Sequence, residues 1–166
     1  MDPANSQIVY ASMYQRRRTA CCMNGGGPGS GIFKTTDGGE TWSRLTGHGL
    51  PEGIWGKVGV AVAPSDGNRI YALIEAEKGG LFRSDDGGAT WRLANGHNAL
   101  TQRAWYYSTL TIDPVNADVV WIPQVALLQV RVLTPFRPPP ETVRPIVAAD
   151  ADAAENPNTN MIAAAI

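Results

Sequence analysis

The sequence predicts an all-β fold built from repeated four-stranded antiparallel sheets, and three observations support this prediction. The segment KTTDGGETW at 34–42 returns as RSDDGGATW at 83–91, an offset of 49 residues. Short β-branched and aromatic runs flank both copies, as is typical of strands. Before residue 140 no apolar pattern has a helical period. Four short strands in roughly 50 residues describe one propeller blade or one pair of sandwich hairpins.

A second unit recurs between the copies and marks a turn between two strands. It reads DPANSQIVYA at 2–11, APSDGNRIYA at 63–72 and DPVNADVVWI at 113–122. Proline presets φ, and Asn or Asp bonds its own backbone, so each cluster predicts a turn. In the best-defined repeat we therefore predict strands at 58–63, 69–76, 80–84 and 89–93.

The residue types of the nine-residue segment suit a tight hairpin turn. A hydroxyl at the end of the third strand can bond the turn, and the aspartate can accept from N–H groups one to three residues on. The glycine can adopt positive φ. Threonine and tryptophan then open the fourth strand, with the indole packed between neighbouring sheets. These residues are Thr35, Asp37, Gly39, Thr41 and Trp42 in the first copy and Ser84, Asp86, Gly88, Thr90 and Trp91 in the second.

The pattern resembles the Asp-box, or bacterial neuraminidase repeat, of β-propellers such as sialidases, xyloglucan-cleaving hydrolases, sortilin-type receptors and photosystem assembly factors. The flanking sequences most resemble large secreted bacterial proteins with sortilin-like propellers. These sequences are GGGPGSGIFKTTDGGETW and RAWYYSTLTIDP. The resemblance covers roughly residues 2–129. It implies a partial β-propeller of about three four-stranded blades, with Asp-boxes at the hairpins between third and fourth strands. It also implies a structural role for the two box aspartates, on the outside of the blade.

The repeat pattern stops after residue 129. A third Asp-box is expected near 129–137, but the sequence there continues as VRVLTPFRPPPETVRPIVAADADAA. Three prolines at 138–140 suit an extended polyproline segment rather than a central strand. We predict incomplete propeller blades at 1–129, an irregular Pro/Ala-rich segment at 130–154 that is either a divergent linker or read out of frame, and the truncated start of a further blade at 155–166. Because a propeller closes with at least four blades, the expected partners include the remaining blades of a parent propeller.

The charge balance argues against recognition of nucleic acid or of anionic membranes through bulk electrostatics. The chain has 14 Lys and Arg against 15 Asp and Glu. No apolar run approaches the roughly 20 residues that cross a bilayer. The first residues, MDPANSQIVYAS, have neither the basic nor the apolar region of a signal peptide. The resemblance to secreted proteins still implies an extracellular or periplasmic location for the parent.

Two segments carry candidate ligand-binding residues. Arg16, Arg17 and Arg18 could grip a carboxylate, or they could form a solvated loop with one ion pair. Successive side chains of an extended chain point oppositely, so the three cannot converge like the arginine triad of a sialidase. Trp105 and Tyr106 could stack on a sugar ring or a peptide, or they could pack in the core.

Other site chemistries find little support in the sequence. The adjacent Cys21 and Cys22 predict two free thiols, because a disulfide needs a longer Cα separation than one trans peptide gives. The glycine-rich run 24–31 lacks the Lys-Ser/Thr end of a phosphate loop. His48 and His97 share the repeat offset and are expected at equivalent points of two blades, without zinc-ligand spacing. No metal or cofactor is expected, and no catalytic residue can be assigned.

The sequence favours a non-enzymatic scaffold that binds a protein, peptide or glycan. The alternative is a part of an Asp-box glycoside hydrolase, similar to xyloglucan-cleaving enzymes. Its catalytic carboxylates are not identifiable here, because such pairs are defined by their distance across a pocket. A third interpretation is that the fragment has no function alone.

Overall fold

The structure, a computed structural model, describes residues 1–132 and the backbone of 162–165. This part of the chain is almost entirely β. The strands are β1 (Val9–Met13), β2 (Arg16–Arg18), β3 (Met23–Gly25), β4 (Gly31–Thr35), β5 (Ser43–Leu45), β6 (Val58–Ala63), β7 (Asp66–Ile74), β8 (Gly80–Ser84), β9 (Arg92–Asn95), β10 (Thr111–Ile112), β11 (Val119–Pro123), β12 (Leu127–Arg131) and β13 (Ile162–Ala165). A 3-10 helix covers Asn98–Thr101, and one turn of α-helix, α1, covers Ala104–Tyr107.

The strands form three main antiparallel sheets that follow one another along the chain. Sheet 1 has the order β1-β4-β5, sheet 2 the order β6-β7-β8-β9 and sheet 3 the order β10-β11-β12-β13. Strands β2 and β3 form a separate hairpin. Consecutive strands pair as neighbours in sheets 2 and 3, as in a propeller blade. The predicted all-β fold of about three blades is therefore confirmed.

Sheet 2 tests the predicted strand positions most directly. The predicted strands at 58–63 and 80–84 are observed as β6 and β8. The second strand, β7, begins three residues earlier than predicted, at Asp66, because Asp66 pairs with Ala63 beyond a bulge. The fourth prediction is wrong at its start: β9 begins at Arg92 rather than 89, since the preceding residues still belong to the turn.

The first repeated turn is closed by the hydroxyl and the carboxylate that the sequence singled out. Thr35 Oγ1 accepts from Gly39 N–H at 3.0 Å, and the φ of Gly39 is 108°. Asp37 accepts from the main-chain N–H of Thr41 at 3.0 Å and from its hydroxyl at 2.5 Å. These donors lie four residues on, one beyond the predicted range of one to three. Main-chain N–H groups within that range, of Gly39 and Ala89, also hydrogen-bond Asp37 and Asp86 and lower the pKa of each. The turn at 84–90 repeats the same bonds.

The tryptophans that follow the two turns have different surroundings. Each indole N–H donates to a glycine carbonyl of its own turn. Trp91 is 6% exposed and packs against Tyr10 and Ile32 of sheet 1, as predicted. Trp42 is 43% exposed, so the prediction that it packs between sheets is wrong for the first copy.

Two hydrophobic cores separate the three sheets, and alternate residues of β7 supply them. Ile70 and Ala72 belong to the core between sheets 1 and 2. Tyr71 and Leu73 belong to the core between sheets 2 and 3, where they meet side chains of β11 and β12 such as Ile122. This alternation follows from the two-residue period of a strand.

Tyrosine hydroxyls cross both boundaries between sheets. Tyr10 donates to the carbonyl oxygen of Gly87 at 2.8 Å, and Tyr71 donates to the carbonyl oxygen of Ala117 at 3.0 Å. Burial raises the pKa of both tyrosines to about 12. Each buried ring therefore keeps a satisfied polar end at the neighbouring sheet.

A buried arginine joins sheet 2 to the turn before β11. Arg83 is 1% exposed and forms ion pairs with Asp85 at 2.8 Å and with Asp118 at 3.0 Å. Arg69 bonds the same two carboxylates, at 2.9 and 2.8 Å. The desolvated guanidinium is thus compensated by two carboxylates, as a buried charge requires.

His48 and His97 each follow the last strand of their sheet, at the equivalent positions that the repeat predicts, but they differ in conformation. His48 has φ of 51°, and its carbonyl oxygen accepts from Trp91 N–H at 2.7 Å across the boundary of sheets 1 and 2. A Cβ on the next residue, Gly49, would lie 1.8 Å from the carbonyl oxygen of Trp91, so this crossing requires glycine. His97 is extended, with φ of −70°, and its Nδ1 accepts from Ala99 N–H to cap the 3-10 helix.

The end of the described chain bears on the predicted segments. Strand β12 continues to Arg131, two residues beyond the predicted end of the blades at 129. Residues 162–165, assigned from sequence to the start of a further blade, form β13 and pair with β12 as the fourth strand of sheet 3. The rest of the segments 130–154 and 155–166 lies outside the described residues, and their division stays a prediction.

The turn carboxylates predict a loss of stability in acid. Burial alone would raise the pKa of Asp86, but hydrogen bonds from Thr90 and Ser84 lower it to about 2. Bonds from Thr35 and Thr41 hold the pKa of Asp37 well below its usual range. Below about pH 4 the unfolded chain therefore binds more protons than the folded chain, and this stabilisation is lost as pH falls from about 4 to 2.

Thermal unfolding followed by circular dichroism between pH 7 and pH 2 measures this loss. We expect Asp86→Asn to have a lower unfolding temperature than the parent at neutral pH and a smaller decrease between pH 4 and pH 2. An equally steep decrease in the variant would contradict the role given to this carboxylate.

Candidate functional site

A cleft of about 300 Å³ opens between the β2–β3 hairpin and α1. It brings together four of the five residues that the sequence analysis selected as ligand-binding candidates. These are Arg16, Arg18, Trp105 and Tyr106. The remaining lining residues belong to the tip of the hairpin, at 19–23.

The hairpin determines which arginines reach the cleft. The three arginines do not form the solvated loop that was one interpretation of the charge run, because residues 16–18 and 23–25 pair in register, with Arg17 opposite Asn24. Because side chains alternate along a strand, Arg16 and Arg18 lie on one face and Arg17 on the other. Arg17, the fifth candidate, does not line the cleft.

The short helix α1 places the aromatic candidates at the surface. Ala104 and Ser108 are buried, and Ser108 Oγ donates to the carbonyl oxygen of Ala104 at 2.9 Å. Between them Trp105 is 40% and Tyr106 63% exposed, which rules out the core alternative for this pair. Lys57 Nζ donates to the carbonyl oxygen of Tyr106 at 3.2 Å and ties the helix to sheet 2.

The aromatic rings of α1 are tilted against one another rather than stacked. The ring centroids of Trp105 and Tyr106 are 6.0 Å apart with an interplanar angle of 55°. Tyr106 and Tyr107 are 6.1 Å apart at 49°. Trp105 and Tyr106 are exposed and line the cleft, so their rings can contact an apolar ligand surface such as the CH face of a sugar. A single helical turn is too short to produce a periodic apolar pattern, so this helix could not be predicted from the sequence.

The tip of the hairpin carries the two free thiols that the sequence predicted. Cys21 and Cys22 are both exposed and unbridged. Thr19 N–H donates to the carbonyl oxygen of Cys22 at 2.8 Å and closes the tip. Hydrogen bonds from the thiol of Cys22 and from Thr19 lower the pKa of Cys21, while the same pairing raises the pKa of Cys22.

The electrostatic character of the cleft is basic. Two guanidinium groups line it, and no acidic side chain stands among its described lining residues. The nearby Tyr14 has its pKa raised by burial and by Glu75, while Arg16 opposes the shift. Arrangements of this kind attract carboxylates, which guanidinium groups bind in a bidentate manner.

Residues 1–132 contain no group of three or more His, Cys, Asp or Glu side chains placed to hold a metal ion. Among the described helices, none has the length and apolar character of a membrane span.

The chain matches no protein-family model and no curated protein. It is similar to the solved structure of the GH74 xyloglucanase from Xanthomonas campestris, with a TM-score of 0.51 and 21% identity over 67% of this chain and 18% of that enzyme. An ancestral GH74 enzyme gives a TM-score of 0.48 and 20% identity over 80% of this chain and 16% of the other. The GH74 enzyme of Niastella koreensis gives 0.47 and 21%, over 80% and 20%.

The likeness to the Xanthomonas campestris enzyme bears on the fold alone, and the chain spans about a fifth of that enzyme's length. The internal repeat, the antiparallel order of the sheets and the two cores between them agree with it. The chain therefore has the fold of a partial β-propeller made of three successive antiparallel sheets.

Proposed function

We propose that the chain is part of a secreted or cell-envelope β-propeller and that its cleft binds a carboxylate-bearing glycan without cleaving it. One observation carries the proposal: two arginines and two exposed aromatic rings from distant parts of the sequence line the same cleft. Guanidinium groups bind carboxylates, and aromatic rings stack on the apolar faces of sugars. An acidic peptide would use the same guanidinium groups and is the competing ligand in the test below.

The repeated turns at 35–41 and 84–90 are proposed to be Asp-boxes with a structural role. Support comes from their hydrogen bonds, since each carboxylate already accepts from an N–H and a hydroxyl of its own turn. The hydroxyls of Thr35 and Ser84 also donate to these carboxylates, so most of the acceptor capacity of each is used within its own turn.

Alternation along β2 gives the binding proposal a matched control. We expect Arg16→Ala and Arg18→Ala each to weaken binding of an oligogalacturonate about tenfold, because a charge-assisted hydrogen bond contributes roughly 1.5–3 kcal/mol. Arg17→Ala, which removes an equal charge from the opposite face, is expected to change the dissociation constant less than about twofold. Isothermal titration calorimetry measures all three variants.

Two competitor ligands complete the experiment. A neutral oligosaccharide of the same length is expected to bind more weakly, and an oligoglutamate is expected to lack the contribution of the aromatic rings, so that Trp105→Ala affects only the sugar. Equal losses in all three arginine variants would reduce the cleft to general electrostatic attraction and contradict the proposal. A chain that binds none of these ligands would do the same.

The second candidate function is a part of a glycoside hydrolase, favoured by the structural likeness to a xyloglucanase. No carboxylate lines the described cleft, so cleavage there would need acidic residues from elsewhere. Incubation with xyloglucan and an assay for new reducing ends tests this candidate. Release of reducing ends that a carboxylate variant abolishes would favour the hydrolase over the scaffold.

A further inference from the structure

The loop that joins β2 to β3 places two free thiols at the edge of the cleft. Cys21 and Cys22 belong to this loop, and both are exposed and unbridged. The main-chain hydrogen bond from Thr19 N–H to the carbonyl oxygen of Cys22 closes the loop at 2.8 Å and fixes its shape. Both sulfur atoms are therefore held beside the cleft and are open to reagents in solution.

The two thiols differ in their hydrogen bonds. Cys21 Sγ hydrogen-bonds the thiol of Cys22 and lies 3.4 Å from Thr19 Oγ1. The Thr19 hydroxyl is shared with the carbonyl oxygen of Cys22, at 3.2 Å. Donors around a sulfur atom favour its thiolate, so the pKa of Cys21 is lowered, whereas its partner Cys22 has a raised pKa. Because the thiolate is the nucleophilic form of cysteine, Cys21 is the more reactive of the two.

The cleft beside the thiols suits an anionic reagent. Arg16 and Arg18 line it together with both cysteines, and no acidic side chain stands among its described lining residues. Guanidinium groups bind carboxylates through paired hydrogen bonds, which fix the orientation of the bound group. A small molecule that carries carboxylates near an electrophilic sulfur atom is therefore drawn to a position where Cys21 can attack it.

We propose that Cys21 is modified by a small disulfide compound whose two halves carry carboxylates, and that Arg16 and Arg18 bind those carboxylates. The Cys21 thiolate attacks one sulfur atom of the compound and forms a mixed disulfide with that half. The S–S bond of the compound breaks, and the other half leaves as a thiolate that takes up a proton from water. Cys21 is thereby oxidised and the released half is reduced. The reaction does not require the glycan ligand proposed above.

The neighbouring thiol is poorly placed to reverse the modification. Release of the bound half by Cys22 would require a disulfide between adjacent residues, whose Cα atoms are about 3.8 Å apart across a trans peptide. Disulfides usually join Cα atoms that are about 4.4–6.8 Å apart, and a departure from this geometry stores strain. The mixed disulfide on Cys21 is therefore expected to persist, with one bound half per chain.

Incubation with oxidised glutathione, whose halves carry carboxylates, tests the proposal. Intact-mass spectrometry is expected to show the addition of one glutathione, and peptide mapping is expected to place it on Cys21. Cys21→Ser is expected to stay unmodified. Cys22→Ser keeps the reacting sulfur atom and a donor beside it, so it is expected to be modified at Cys21. No addition, addition to Cys22, equal addition to both thiols, or loss of the glutathione with formation of an internal disulfide would each overturn the proposal.

The rates of modification by oxidised glutathione and by the neutral disulfide of mercaptoethanol test the role of the arginines. Arg16→Ala and Arg18→Ala are each expected to slow the reaction of oxidised glutathione about threefold, the size of an exposed ion pair, and to leave the neutral reaction unchanged. Arg17→Ala, which removes an equal charge from the opposite face, is expected to change either rate less than about 1.5-fold. Far-UV circular dichroism checks that the variants are folded. Equal slowing by all three variants, equal slowing of both reagents, or no slowing at all would overturn the proposal.

Discussion

Replacing Trp91 by alanine is expected to lower the free energy of unfolding by about 3–5 kcal/mol, since removal of a large buried aromatic side chain leaves a cavity. Trp91 is 6% exposed and lies between sheets 1 and 2. Its main-chain N–H also donates to the carbonyl oxygen of His48 at 2.7 Å, so the residue fixes the junction at two points. Denaturant unfolding followed by far-UV circular dichroism measures the change.

The repeat supplies an internal control for this prediction. Trp42 stands at the same position of the first copy and donates to its own turn in the same way, but it is 43% exposed. Trp42→Ala is expected to cost less than about 1 kcal/mol, as is typical of exposed positions. Equal costs for the two variants would show that the turn, and not the junction, determines the role of the indole.

Loss of Arg83 is expected to destabilise the chain by an amount similar to the loss of Trp91. Arg83→Ala removes a side chain that is 1% exposed and leaves Asp85 and Asp118 with one fewer cation. Breaking a buried ion pair from one side costs about 3–5 kcal/mol. Denaturant unfolding of the variant measures the loss.

Two companion variants test this prediction: one removes an exposed partner of the same carboxylate, and the other separates the charge of Arg83 from its volume. Arg92 pairs with Asp85 at 2.5 Å, but its side chain is 39% exposed, so Arg92→Ala is expected to cost less than about 1 kcal/mol. Arg83→Met keeps most of the buried volume without the charge. A methionine variant as stable as the parent would contradict the importance given to the ion pairs.

Much of the fold could be predicted because the repeated residues act locally. Asp37 and Asp86 close their turns with hydrogen bonds to residues four positions on, so the same residues form the same turn in both copies. Strands β6 and β8 followed from β-branched and aromatic runs that fill the cores on both sides of sheet 2. These features depend little on distant parts of the chain.

What the sequence did not predict depends on contacts between distant residues. Trp42 and Trp91 follow nearly identical turns, but only Trp91 has a neighbouring sheet against its ring in the described chain. His48 and His97 share an offset, yet of the two only His48 has a positive φ, in the segment that crosses to Trp91.

The candidate site was predictable in its members but not in its assembly. Arg16 and Arg18 stood out as a charge run, and Trp105 and Tyr106 as an aromatic cluster, from segments almost 90 residues apart. Nothing in the pattern places the hairpin beside α1, because that proximity follows from the order in which the sheets succeed one another. The direction of Arg17 followed only once the register of β2 was known.

Sheet 2 contributes side chains to both cores, whereas sheets 1 and 3 each contribute to one. A fluctuation that detaches sheet 1 or sheet 3 opens one core and leaves the other closed, while detachment of sheet 2 opens both. Amide protons of β7 and β8 should therefore exchange with solvent most slowly, and those of β1 and β12 sooner. Resistance to local opening is graded along this short array, highest at its centre and lower towards either end.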